Sequence, residues 1–166
     1  MKIFFAVATI VFLSGCAYQV NVTYRSHGTT YASLETVKYA VIKGQFNMKD
    51  QTNSQVAVVN ATALRIGNIE SVITGSLLKN GISTMSSDEL SELPQDQHAR
   101  CIIVEWGISG RNSRGIGAGY SQEVTVLIKN ALSGELVYKG IGEYMGQTEI
   151  DDLKGALLAA LKDFRK

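Results

Sequence analysis

Residues 100–109 read RCIIVEWGIS. Apolar residues fall on both alternating sets of this run: Ile102, Val104 and Trp106 on one, Cys101 and Ile103 on the other. Successive side chains of a strand point to opposite faces, so a strand apolar on both is covered twice and sits centrally in a sheet. The next apolar run, YSQEVTVLIKN (residues 120–130), alternates more cleanly, with Val124, Val126 and Ile128 on one face and Thr125, Leu127 and Lys129 on the other. Ser133-Gly134 then turns the chain into ELVYKG (residues 135–140), and Ile141 to Met145 prolongs this strand past a bend at Gly142. Three such strands joined by turns predict an antiparallel meander.

After the meander comes a helix from Thr148 to Phe164. Thr148 supplies an N-cap, Asp151 and Asp152 sit where the helix dipole favours negative charge, and Ile150, Leu153, Leu157, Leu161 and Phe164 form an apolar stripe. Before the meander, TVKYAVI (residues 36–42) is strand-like, and a helix is expected over residues 54–79. Val59, Ala63, Ile66, Ile69 or Glu70, Ile73 and Leu77 gather on one face of it, and Asn80-Gly81 stops it. Ile82 to Met85 reads as a short strand, Ser86-x-x-Glu89 as a capping box opening a helix that ends at Pro94, and Gln95 to Ala99 as loop. Ala17 to Ser33 is polar and reads as a tether, with room for an edge strand over Tyr18 to Tyr24. These elements predict an α+β fold: a two-layer sandwich whose mostly antiparallel sheet of four to five strands carries two amphipathic helices on one face.

Upstream of the tether, Met1-Lys2 precedes the apolar run IFFAVATIVFL (residues 3–13) and the small pair Ser14-Gly15. As a helix that run reaches roughly 17 Å against a hydrocarbon core of about 30 Å, too short to span it. A basic start, a short apolar run and small residues form the layout of a secretory signal. Leu13-Ser14-Gly15-Cys16 resembles the lipobox of bacterial lipoproteins. The resemblance implies cleavage before Cys16, a diacylglycerol on its sulfur and an acyl group on its amine. Each buried acyl methylene contributes about 0.8 kcal/mol, so three chains anchor firmly where one does not. Ala17 resembles the sorting pattern of outer-membrane lipoproteins. The organisation expected is residues 1–15 as signal peptide, 16–34 as lipidated N-terminus and tether, and 35–166 as one periplasmic domain facing inward from the outer membrane.

With 16 basic and 15 acidic residues in the whole chain, losing Lys2 with the signal leaves the remainder neutral, which gives no reason to expect nucleic acid. If Cys16 carries lipid, Cys101 has no second cysteine to pair with, and its apolar strand makes it a small buried hydrophobe.

The unusual composition lies in SGRNSRGIGAGY (residues 109–120). Nucleotide-binding glycine loops need a helix after them so that amides meet phosphate, and here a strand follows. A hairpin loop is the plain reading. The binding reading has Arg111, Arg114 and Tyr120, on the flexible Gly115, Gly117 and Gly119, gripping an anionic partner, lipid headgroup or glycan. His98 and Cys101 lie three positions apart but zinc wants three or four ligands, so no metal is expected; His27 lies in the tether. Glu149, Asp151 and Asp152 are explained by the helix start, and with no nucleophile motif present an enzyme is not expected. No cofactor is expected beyond the covalent lipid on Cys16.

Finally, Asn130 to Gly140 (NALSGELVYKG) resembles a hairpin of bacterial envelope lipoproteins, in which the phrase D-x-x-x-G-x-[LV]-[VI]-W-x-G precedes a terminal amphipathic helix; Asn130 stands where Asp is commoner and Tyr138 where Trp is. That family carries no assigned activity. The expectation is a non-enzymatic, lipid-anchored accessory or structural component of an envelope assembly with a protein partner. The alternative is a lipoprotein that binds a lipid, glycan or other small ligand through residues 109–120.

Overall fold

Alternation of apolar residues builds the sheet. A computed structural model of the chain describes residues 20–25, 34–45, 63–113, 119–162 and 164. The strands are β1 (Val20–Arg25), β2 (Tyr39–Gln45), β3 (Ser83–Met85), β4 (Cys101–Ser113), β5 (Tyr120–Asn130) and β6 (Leu136–Tyr144). The helices are α1 (Ala63–Lys79), α2 (Ser87–Glu92), α3 (Gln95–His98) and α4 (Glu149–Leu161). The strands join in one sheet of order β1-β6-β5-β4-β2-β3.

The fold is α+β, with the expected meander of β4, β5 and β6 at its centre. The sheet reaches six strands because β1 adds antiparallel to β6 at one edge and β3 adds to β2 at the other. It is mixed: β2 runs parallel to both β3 and β4. A parallel pair needs a long crossover, and α1 supplies it between β2 and β3. Of the helix expected over residues 54–79, Ala63–Lys79 is described, and residues 54–62 lie outside the described residues. Gln95–His98, read as loop, is a short helix, since Pro94 at its N-cap is compatible with a first turn. The capping box holds as expected: Ser86 Oγ accepts from the Glu89 amide at 3.1 Å, and the Ser86 amide donates to Glu89 Oε2 at 2.7 Å.

One face of the sheet carries both long helices, α4 over β5 and β6, α1 against α4 and over β2 and β3. Ile102, Val104, Trp106, Val124, Val126 and Ile128 point into this layer and are buried. Ile73 and Leu77 of α1 and Leu157 of α4 meet them. Burying such side chains contributes about 1.5–3 kcal/mol each. On the opposite face Lys129 Nζ lies 2.7 Å from Glu105 Oε2, bridging β5 and β4.

The closest approach is between α4 and β6. A Cβ at Gly140 would stand 2.0 Å from the Ala160 carbonyl oxygen, and one at Gly142 2.0 Å from that of Ala156. Gly142 is therefore no bend, since β6 runs through it to Tyr144; it is where a helix backbone touches the strand. In return, a Cβ at Gly155 of α4 would lie 2.2 Å from the Tyr144 ring. Below this contact the Tyr138 hydroxyl donates to the Ala160 carbonyl at 2.5 Å, and the Tyr138 and Phe164 rings meet edge to face at 5.7 Å. The β5–β6 turn is fixed by Asn130, whose Oδ1 accepts from the amides of Leu132 and Ser133 at 2.8 and 2.9 Å, and by Gly134 at φ +69°. An asparagine oxygen accepts these bonds as a carboxylate would, which explains why Asn serves where the resembling hairpins favour Asp.

Gly142→Ala should therefore destabilise the domain by about 3 kcal/mol or more, as forced overpacking does. Gly75→Ala in α1, where an added Cβ meets nothing within 4 Å, should instead stabilise by about 0.5–1 kcal/mol. Urea unfolding midpoints of the two variants test this opposition of sign; a tolerated Gly142→Ala would show that α4 does not rest on β6 as described.

Candidate functional site

The β4–β5 pair ends beside Tyr144 of β6, the register partner of Gln122. β4 runs four residues past the expected end at Ser109, because β5 supplies partners: Arg111 pairs with Gln122, Asn112 with Ser121, and Ser113 with Tyr120. Weak strand formers are thus held by the ladder rather than by propensity. The register shifts between Ile108 and Gly110. This bulge at Ser109 inserts one residue and exchanges the faces beyond it. Its effect is to put Arg111 on the helix-side face.

There Arg111 Cζ lies 4.6 Å from the centroid of the Tyr120 ring, a cation–π distance. Both are exposed, Tyr120 to 54%. Gly119 precedes the tyrosine at φ +80°, a conformation that suits glycine. Of the residues singled out for a binding loop, the fold thus places Arg111 and Tyr120 in contact on strands, with Gly119 beside them. Arg114, Gly115 and Gly117 lie outside the described residues, as do Leu13, Ser14, Gly15, Cys16 and His27.

The other face of this end holds carboxylates that the sequence reading did not single out. Glu123 of β5 and Glu143 of β6 are direct cross-strand neighbours. Like charges so placed repel, and hydrogen bonds offset this. Ser109 Oγ donates to Glu123 Oε1 at 2.7 Å; Asn112 Nδ2 donates to Glu143 Oε1 at 3.0 Å, and Ser121 Oγ donates to the same oxygen. The sequence signal was faint: each glutamate falls on the non-core set of its strand's alternation.

At the opposite end, His98 Nε2 lies 3.1 Å from the Leu93 carbonyl and Cys101 Sγ donates to the Gln97 carbonyl at 3.4 Å. Each is engaged separately with backbone, and burial pushes the Cys101 thiol up. Among the described residues no group of three or more His, Cys, Asp and Glu is placed to hold a metal ion. Trp106, fully buried at 1% exposure, packs in the core as composition suggests, with its indole N–H unpartnered; Thr125 Oγ1 is likewise buried and unpartnered.

The surface hollows lined by described residues include two near sheet edges and helix faces already named. One, of about 490 Å³, runs beside edge strand β3 and is lined by Tyr39, Thr84, Met85, Glu89, Glu92 and Leu93. The other, of about 320 Å³, lies against α4 between Tyr144 and Leu158. No helix among the described residues is long and apolar enough to cross a membrane.

No family model matches the chain, and no curated protein does. Solved structures that resemble it include the PelC dodecamer from Paraburkholderia phytofirmans, at 16% identity over 86% of this chain and 95% of that one, with a TM-score of 0.48. The lipoprotein GNA1162 from Neisseria meningitidis is similar at 8% identity over 76% and 96% of the two chains, with a TM-score of 0.42. A homolog of neuraminyllactose-binding hemagglutinin from Helicobacter pylori is similar at 11% over 86% and 90%, with a TM-score of 0.43. Likeness at this level carries no function across.

The groove beside β3 has a titratable reporter. Hydrogen bonds from the Ser86 backbone and side chain hold the Glu89 carboxyl below its ordinary range. Ser86→Ala removes one of them, so the Glu89 titration followed by NMR should move up toward the ordinary carboxylate value. Since Glu89 is depressed in the folded state, the stability it adds is present at neutral pH and is lost as pH falls through its folded value; an unchanged midpoint in Ser86→Ala would refute the cap's part in it.

Proposed function

We propose that this chain is a lipid-anchored, non-enzymatic lipoprotein of the bacterial envelope, an accessory or structural component that works by binding a protein partner from the periplasmic face of the outer membrane. The observation that carries the reading is the sequence Leu13-Ser14-Gly15-Cys16 directly after a short apolar run. Acyl chains on Cys16 supply the attachment. The protein-binding surface is the β3 edge with its groove. β3 has one sheet neighbour, β2, and its Ser83 amide donates to the Lys38 carbonyl on that inner side. In a parallel pair the next residue, Thr84, then turns its backbone groups outward, available to an added strand. Tyr39 and Leu93 give the groove apolar anchors beside that edge.

A second reading, a lipoprotein that binds a small ligand at the β4–β5 hairpin, is favoured by the exposed Arg111–Tyr120 pair. A ligand buried between α4 and β6 is disfavoured, because those backbones already touch.

Cells fed labelled palmitate should label this protein, and Cys16→Ser should lose the label and leave the membrane pellet for the soluble fraction. Full retention of Cys16→Ser in the pellet would refute the anchor. Thr84→Pro removes the outward amide of β3 while leaving the β2 ladder, so it should abolish co-purification of a specific envelope protein with the acylated chain while circular dichroism stays unchanged. Equal recovery of the partner would move the binding surface elsewhere.

A further inference from the structure

Strand register fixes which end of the sheet faces the anchor. Val20 pairs with Glu143, Glu143 with Glu123, and Glu123 with Gly110, so these four stand in one row across β1, β6, β5 and β4. From that row β4 continues outward through Arg111, Asn112 and Ser113, rising about 10 Å at 3.3 Å per residue. β1 begins at this same row with Val20 and runs from it away from Arg111, because β1 is antiparallel to β6 and β6 is antiparallel to β5. Cys16 lies four residues before Val20, and four residues span at most about 14 Å when fully extended. That reach keeps Cys16 within about 14 Å of Val20, whose row lies at the same end of the sheet as the Arg111–Tyr120 pair. The β5–β6 turn with exposed Leu132 lies at the other end, about 33 Å away along β5.

We infer that the hairpin end of the sheet rests on the membrane that holds the Cys16 acyl chains, with Arg111 and Tyr120 at the level of its phospholipid headgroups. The inference depends on the lipid anchor proposed above. The chemistry fits that depth. Tyrosine is enriched at the membrane–water interface, where its ring is embedded and its hydroxyl is wet, and arginine donates to phosphate oxygens through its planar fork. Arg111 and Tyr120 are exposed although they stack on each other, so ring and guanidinium stay available to a lipid surface. Hydrogen bonds orient carboxylates at this end, Asp152 through the Gly146 amide and Asp151 through the Thr148 hydroxyl, while Glu123 and Glu143 lie on the sheet face away from Arg111. With at most four residues between acylated sulfur and sheet, the domain is seated on the bilayer in one orientation, not suspended on a long leash.

The experiment uses the full acylated protein, its palmitate content verified by mass, in vesicles of phosphatidylethanolamine and phosphatidylglycerol containing brominated lipid, which quenches tryptophan at the bilayer. Tryptophan is introduced by Tyr120→Trp or, at the far end, Leu132→Trp, and the unaltered chain supplies the baseline from buried Trp106. Quenching several-fold stronger for Tyr120→Trp than for Leu132→Trp is expected, and Arg111→Glu added to Tyr120→Trp should reduce it. Equal quenching at the two positions in verified acylated protein overturns the seating while leaving the anchor intact; absence of palmitate overturns both. If the two positions are quenched equally and Arg111→Glu abolishes recovery of the protein partner, the hairpin belongs to that partner and the lipid contact is refuted.

Discussion

Two backbones in direct contact set the architecture. The α4 carbonyls of Ala156 and Ala160 sit where side chains of β6 would otherwise stand, which only the hydrogen of Gly142 and Gly140 permits. Tyr138 fixes the helix along its axis by donating to the same Ala160 carbonyl. Since α1 packs in turn against α4, the placement of the helical layer on the sheet depends on a gap two glycines wide. Protein interiors are close-packed, so such a gap defines a geometry rather than merely tolerating one.

A second constraint is the extra residue at Ser109. Without it, Arg111 would fall on the carboxylate face and Asn112 on the helix side. With it, the end of the sheet divides by chemistry: a cation stacked on an aromatic ring on one side, two glutamates satisfied by Ser109, Ser121 and Asn112 on the other. A β-bulge near a sheet's end commonly re-aims a side chain, and here it separates charges that would otherwise pair or repel within the hairpin.

Much of the scaffold was legible in the residues. The meander, the α4 cap at Thr148 and the Ser86–Glu89 box follow from periodicity and short-range hydrogen bonding, which act within a few residues. What escaped depends on partners distant in the chain. Arg111 to Ser113 have poor strand propensity and are extended because β5 lies beside them. Gly142 looked like a bend because the helix that demands it is more than a turn of chain away. The parallel pairing of β2 with β4 leaves no local mark, since each strand alternates in the same way whichever direction its neighbour runs. The binding reading identified Arg111 and Tyr120 by type, but their contact arises from the bulge, and Glu123 and Glu143 became a pair only through cross-strand register.

The place of β1 has a consequence for how the protein is made. It is first in the chain yet pairs with β6, close to the end of the domain. A chain emerging from its amino terminus therefore exposes VNVTYR without its partner β6 until nearly all the remainder has been synthesised. Unpaired strands of this kind invite association with other chains. A holding chaperone would serve this protein during that interval, and the closing of β1 onto β6 would mark the end of its folding.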